Sequence, residues 1–210
     1  MRGLSDAMAK TIKQKCEDHG FKKCKDGIWC RREGIVDSFY HTIFFNPATY
    51  HIGRSITAYV GIGNSWIDKL YFKLSNQKHT TNYPIIRINI GDLNPSYGQF
   101  KDWDYTDFRQ IPGVCDILFK EIRKYAYPFF EEYQNFEKII EVFENNTKGF
   151  GIGIYNHFYI QPLLYSAIGE HDKGIELISL MKDLRYIECE SEETYYNNYI
   201  KYATEQKKGI

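Results

Sequence analysis

The sequence predicts an α+β fold: an N-terminal helix, an antiparallel sheet of about five strands, and C-terminal helices packed on that sheet, within one domain over residues 1–210. Three observations predict it. A helical period fills the first twenty residues, a period of two dominates as far as residue 90, and the helical period returns past residue 111. Short connections between cleanly alternating segments favour antiparallel pairing, because buried parallel strands read as continuous apolar runs. Strands grouped first and helices grouped afterwards indicate helices segregated to one side of the sheet.

The first element is a helix over residues 4–19, where Leu4, Met8, Ile12 and Cys16 recur every four residues and Ala7 supports the stripe. Gly20 suits the left-handed position after it, with Phe21 folding back on Cys16. Residues 28–32 and 35–46 read as strands around Glu33-Gly34, and residues 54–62 alternate Ile56, Ala58, Val60 and Ile62 against Ser55, Thr57 and Tyr59. Leu70, Phe72 and Leu74 alternate with Tyr71 and Lys73, as Ile86, Ile88 and Ile90 do with Arg87 and Asn89, so both stretches are expected as strands. Pro112 fits the first turn of a helix whose stripe is Val114, Ile117, Leu118, Ile122 and Tyr125, interrupted at Pro128. A second stripe, Phe136, Ile139, Ile140 and Phe143, stops at NNTKG. Residues 159–168 and 173–184 form a helical hairpin turned at GEHDKG, and a last amphipathic piece covers residues 192–203.

With 43% hydrophobic residues in 210, the chain has the means to bury a core. Its 17% aromatic content, 18 Tyr and 14 Phe, suits helix and sheet packing, and some of that surplus can line a groove or interface. MRGLSDAMAK holds no apolar run of signal-peptide length and no segment approaches the ~20 apolar residues of a membrane span, so a cytoplasmic location without a membrane partner is expected. Cys16, Cys24, Cys30, Cys115 and Cys189 are odd in number and lack a disulfide-framework spacing, in keeping with reduced thiols and no zinc site. Formal charge is zero overall but +6 over residues 1–125 (19 basic, 13 acidic) and −6 over residues 126–210 (8 basic, 14 acidic). An acidic helical half, Glu192 and Glu193 included, offers a face to a basic partner. Neutral overall charge and the lack of a recognised motif weigh against nucleic acid, for which the basic N-terminal helix would be the surface.

The segments HGFKK, IRKYAYPFFEEYQNFEKIIEVFE and LLYSAIGEHDKGIELISLM, taken in order, resemble a bacterial family described only as a domain of unknown function. That resemblance implies an α+β fold and brings no established catalytic residues. Members look like small adaptor or immunity-type proteins.

Candidate sites are few. TKGFGIGIYNHF places Gly149, Gly151 and Gly153 at alternate positions after a helix and lacks a following Lys-Ser or Lys-Thr, so a helix stop at Gly149 and a close extended crossing are expected rather than a phosphate loop. His41 shares phase with Phe39, Ile43 and Phe45 and is expected in the core; His19, at a helix end, could place its charge on the helix dipole. Cys115 sits among apolar residues as an inert thiol. The acidic and aromatic stretch Asp102, Trp103, Asp104 and Tyr105 reads as a recognition loop, with Tyr155 and His157 as further members of a candidate interaction surface. No cofactor, metal or catalytic set is expected. A non-catalytic protein-binding module with a protein partner is the leading reading, and a small-molecule or hydrolytic enzyme assembled from distant residues such as His157, Asp104 and Arg87 is the alternative.

Overall fold

The computed structural model describes residues 2–24, 27–32, 38–51, 53–78, 84–151, 156–183 and 190–208. Helix α1 (Arg2–Asp18) buries Met8, Ile12 and Cys16 and leaves Lys10 and Lys13 in solvent. It closes in a Schellman turn: Gly20 takes φ 76°, its N–H donates to the Glu17 carbonyl at 3.0 Å, and the Phe21 N–H donates to the Cys16 carbonyl at 2.9 Å.

Six antiparallel strands follow: β1 (Lys22–Lys23), β2 (Ile28–Arg31), β3 (Phe39–Thr49), β4 (Arg54–Asn64), β5 (Ile86–Asn89) and β6 (Asp102–Tyr105). The sheet runs in the order β1-β2-β3-β4-β5, and β6 also pairs with β4. Long β3 and β4 pair from Phe39↔Asn64 to Thr49↔Arg54, while β5 lies against residues 59–62 of β4 and β6 against residues 54–57. Thus β5 and β6 sit end to end along one side of β4. The Glu33-Gly34 turn and residues 35–37 lie outside the described residues.

Residues 70–74, expected as a strand, form the second half of helix α2 (Ser65–Leu74). The apolar run fits either period, but Ile67, Leu70, Tyr71 and Leu74 follow the i, i+3, i+4, i+7 spacing and are the residues buried. Asn64 starts the helix by accepting hydrogen bonds from the Trp66 and Ile67 N–H groups, and Asp68 sits in its first turn. A short helix α3 (Ile90–Leu93) then diverts the chain after β5.

Helix α4 (Ile111–Glu121), a π-type turn over Ile122–Ala126 and α5 (Tyr127–Glu132) make one continuous helical path, so Pro128 re-phases the helix instead of stopping it. Proline has no N–H for the carbonyl four residues back, and the wider turn ahead of it relieves the clash. A second π-type turn, Asn156–Ile160, likewise precedes Pro162 in α7 (Gln161–Ala167). The α4 stripe is also shifted from expectation: Ile117 is 53% exposed, and Ile111, Cys115, Leu118, Phe119 and Ile122 face the core. Helix α6 (Phe136–Glu144) ends at Asn145 and Asn146, with Asn146 at φ 46° and the Thr147 N–H on the Val142 carbonyl at 3.1 Å. Asparagine, which tolerates the left-handed region, therefore caps this helix where Gly149 was expected to. Helices α8 (His171–Asp183) and α9 (Glu190–Lys208) complete the fold; α7 and α8 make the expected hairpin.

One core cluster gathers the inward sides of β2 to β6 with side chains from α1 to α9, and a smaller one joins Ile28, Cys30 and Tyr40 on the other side of the sheet. His41 is buried against it, stacked on Phe130 with ring centroids 4.2 Å apart and its Nδ1 accepting from Arg31 Nη2 at 3.0 Å. Burial, with the Arg31 charge beside it, holds this imidazole down to about 3. His19 stacks on Phe119, and burial lowers its pKa as well, contrary to a cationic role at the helix end. Tyr195, Tyr196 and Tyr199 of α9 are fully buried, so part of the tyrosine surplus is core. Their hydroxyls donate to the Tyr159 carbonyl (2.6 Å), Met181 Sδ (4.0 Å) and the Pro162 carbonyl (2.8 Å). Among the described residues no helix is long and apolar enough to cross a membrane, and Cys16, Cys24, Cys30 and Cys115 are free thiols; Cys189 lies outside them.

Candidate interaction surface

The alternation that turns Ile56, Ala58, Val60 and Ile62 toward the helices turns Ser55, Thr57, Tyr59 and Gly61 to the opposite face of the sheet. Register then decides what surrounds them. Phe44 of β3 lies opposite Tyr59, Asn89 of β5 lies on its other side, Arg87 opposes Gly61, Asp102 opposes Thr57 and Asp104 opposes Ser55. Phe44 and Tyr59 pack with centroids 6.4 Å apart, Phe100 reaches Tyr59 at the same separation, and the Arg87 guanidinium sits 5.9 Å over the Tyr59 ring. Phe100 is 56% exposed. Among the described residues Arg87, Asp102 and Asp104 make no ion pair.

A groove of about 370 Å3 opens beside these rings, walled by Phe44, Tyr59, Arg87, Asp92, Phe100 and the backbone at Gly149 and Gly151. A smaller hollow of about 150 Å3 continues across Phe44 and Tyr59 toward Thr42 and Pro84. The glycines act through the backbone: Phe150 bridges Ile88, and the Gly151 N–H donates to the Arg87 carbonyl at 2.7 Å. That amide is committed and cannot cradle a phosphate. A Cβ at Gly151 would stand 3.1 Å from Arg87 Cγ and Nε, a tight contact to which the Arg87 side chain would have to yield. Gly153 lies outside the described residues.

Farther along the same face, Tyr40 lies flat over Gly63 and its hydroxyl donates to Asp68 at 2.8 Å, with the Arg32 guanidinium 4.5 Å above the ring. Burial pushes the Asp68 carboxyl up to about 7; the Tyr40 hydrogen bond and Arg32 oppose that shift without cancelling it.

The six residues expected to form an interaction surface separate. Residues 102–105 are a strand, not a loop, and its alternation sends Trp103 and Tyr105 into the core, 6% and 2% exposed, while Asp102 and Asp104 take the open face. Trp103 and Tyr105 are therefore packing residues. Tyr155 lies outside the described residues. His157 stands among the helices, edge-on to Phe143, with Nδ1 3.0 Å from Gln161 Oε1; Gln161 Nε2 donates to Tyr165 Oη at 3.1 Å, and that hydroxyl donates to Glu144 at 3.0 Å. This chain of bonds fixes the imidazole within the helical layer. The alternative set His157, Asp104 and Arg87 is not assembled, since Arg87 and Asp104 oppose positions of β4 six residues, or about 20 Å, apart. Glu192 accepts from Tyr159 Oη at 2.9 Å, whereas Glu193 makes no ion pair among the described residues.

A further polar cluster with catalytic residue types is bonded internally: Tyr199 donates to the Pro162 carbonyl, which leaves Ser166 to donate to Tyr199 and His171 Nδ1 to donate to Ser166 at 3.3 Å. A hydroxyl receiving a proton from its histidine is not an activated nucleophile. Among the described residues no three His, Cys, Asp or Glu side chains are grouped to hold a metal.

Fold and surface together define an α+β protein whose antiparallel sheet keeps an aromatic, charge-bearing face away from its main helical core. Comparison with protein-family models, with curated proteins and with solved structures gives no match.

Proposed function

We propose that the chain is a non-catalytic protein-binding module of adaptor or immunity type, working in the cytoplasm, which engages another protein surface with the open face of its sheet. The observation that carries this reading is the aromatic group of exposed Phe100 with half-buried Tyr59 and Phe44, and exposed Arg87 poised over Tyr59 and in no ion pair among the described residues. Rigid aromatic side chains and an available arginine, held on strands, are the groups that dominate binding energy in protein interfaces. The resemblance to a family of adaptor or immunity-type proteins points the same way. Affinity capture from the native host, run side by side with the chain and with Tyr59→Ala/Arg87→Asp, tests it. A protein retained by the unaltered chain and lost with the double variant is the expected result. Identical retention by both, with both folded, would remove the open face from the binding function.

A further inference from the structure

We infer that the open face pairs with a second copy of this chain, through a two-fold axis parallel to the plane of the sheet and crossing the strands at Tyr59. The inference rests on the reading of this face as a docking surface. Its carrier is the order of charges along β4. Asp102 stands beside Thr57, two residues to one side of Tyr59, and Arg87 stands beside Gly61, two residues to the other. Both lie on the same flank of β4, because β5 and β6 occupy that flank end to end. A two-fold axis running across the strands reverses direction along β4 and leaves the flank unchanged. It therefore lays Arg87 of each copy over Asp102 of the other, with Asp104 one pair farther out.

The same operation brings the aromatic residues of the two copies together. Half-buried Phe44 and Tyr59 are in register on adjacent strands, so both fall on the axis and their rings meet their own copies, while Asn89 in the same register is buried and bonded to the Gly91 and Lys101 backbone. On β3, two residues either side of Phe44, Asn46 is exposed at the edge of this surface and Thr42 is buried beneath it. Sheets packed face to face stand about 10 Å apart, a gap that an arginine and an aspartate reaching from opposite sides can span. Arg87 and Asp104 are exposed and Asp102 is half-buried, and none of the three takes part in an ion pair among the described residues. A surface ordered acid, aromatic, base along one line is complementary to itself in this arrangement, which is the requirement of an isologous interface. The available face measures roughly 20 by 20 Å from strand rise and spacing, below the ~800 Å2 per partner of a standard interface, so the dimer should be weak and salt-sensitive.

Sedimentation velocity from about 10 μM to 1 mM, at low and high salt, reads the equilibrium directly. The chain should pass from monomer to dimer over that range and do so less readily in high salt. Arg87→Asp alone, and Asp102→Arg/Asp104→Arg together, should each weaken dimerisation at least tenfold, since each sets like charges opposite one another. An equimolar mixture of those two variants should recover the affinity as a heterodimer, and so should one chain carrying all three changes. A chain monomeric at every concentration, a dimer indifferent to both reversals, or reversals that weaken it without recovery on mixing would each overturn the inference. Capture from the host with Arg87→Asp separates the two claims. Loss of a captured protein from a chain that stays monomeric leaves the face as a docking surface and removes the self-pairing, and unchanged capture by a chain whose dimer the reversals break leaves the self-pairing and removes the host partner from this face.

Discussion

Asp68 and His41 set opposing pH dependences, and replacing Asp68 by asparagine should expose one of them. The asparagine side chain would still accept the Tyr40 hydrogen bond but could not ionise. The Asp68 carboxyl is raised from 3.8 to about 7, so the stability it contributes is fully present below pH 3.8 and is lost as pH rises toward 7. At 1.36 kcal/mol per unit, the whole effect is about 4 kcal/mol. His41 is lowered from 6.5 to about 3, so its contribution is present above pH 6.5 and is lost as pH falls toward 3, by about 4 to 5 kcal/mol. Between roughly pH 4 and 6.5 the unfolded chain takes up a proton at His41 while the folded chain keeps one at Asp68, and these two contributions to the slope cancel. Urea unfolding of the chain and of Asp68→Asn at pH 4, 5, 6 and 7 measures the difference directly. The variant should lose about 1.4 kcal/mol per unit below pH 6.5, and the gap between the two proteins should change by about 4 kcal/mol from pH 7 to pH 4. A gap that stays constant would mean that Asp68 titrates as an ordinary carboxyl, and the argument from its burial would fail.

His41→Ala removes a stacked ring and leaves Arg31 without its acceptor, so chemical unfolding should show a loss of about 2 to 4 kcal/mol; unchanged stability would contradict the core placement. Gly174→Ala should destabilise by roughly 2 kcal/mol or more despite better helix propensity, because the new Cβ would overlap Tyr199 Oη and expel it from its bonds to Ser166 and Pro162, and a more stable variant would refute that packing. In a Cys189→Ser background Cys24 alone should react quickly with a thiol reagent, with Cys16, Cys30 and Cys115 appearing on denaturation; burial raises all three of the latter, Cys115 to about 11, and a second fast thiol would count against it. Because the Gly151 N–H is taken by the Arg87 carbonyl, millimolar ATP or NAD should not raise the melting temperature; a rise abolished by Gly151→Val would restore the phosphate reading.

The legible parts of the fold were those where local pattern and tertiary setting agree. Residues 54–62 alternate without exception and became the central strand, and the stripe through Met8, Ile12 and Cys16 became α1 with the glycine turn expected after it. Residues 70–74 misled because Leu-Tyr-Phe-Lys-Leu is apolar on either period; the deciding signals, Asn64 as a cap and Ile67 one turn earlier, lie upstream of the run. Asp-Trp-Asp-Tyr alternates over only four residues, and its acidic content suggested a loop until β4 supplied a partner. The open face was harder still, since Phe44, Tyr59 and Arg87 are 15 and 28 residues apart and meet only through strand register, which side-chain pattern alone does not specify across long connections.

The tyrosines of α9 have a consequence for how precisely that helix is indexed. An aliphatic face could slide by one turn along its groove and still fill most of the same volume, because dispersion contacts are not directional. Tyr195 and Tyr199 instead end in hydroxyls aimed at the single carbonyls of Tyr159 and Pro162. A shift of one turn, about 5.4 Å, would carry both away from those acceptors and leave buried donors costing about 1 to 3 kcal/mol each. The last helix is thus keyed to one register, and errors of threading at the C-terminal end of the chain are penalised even where the hydrophobic fit would tolerate them.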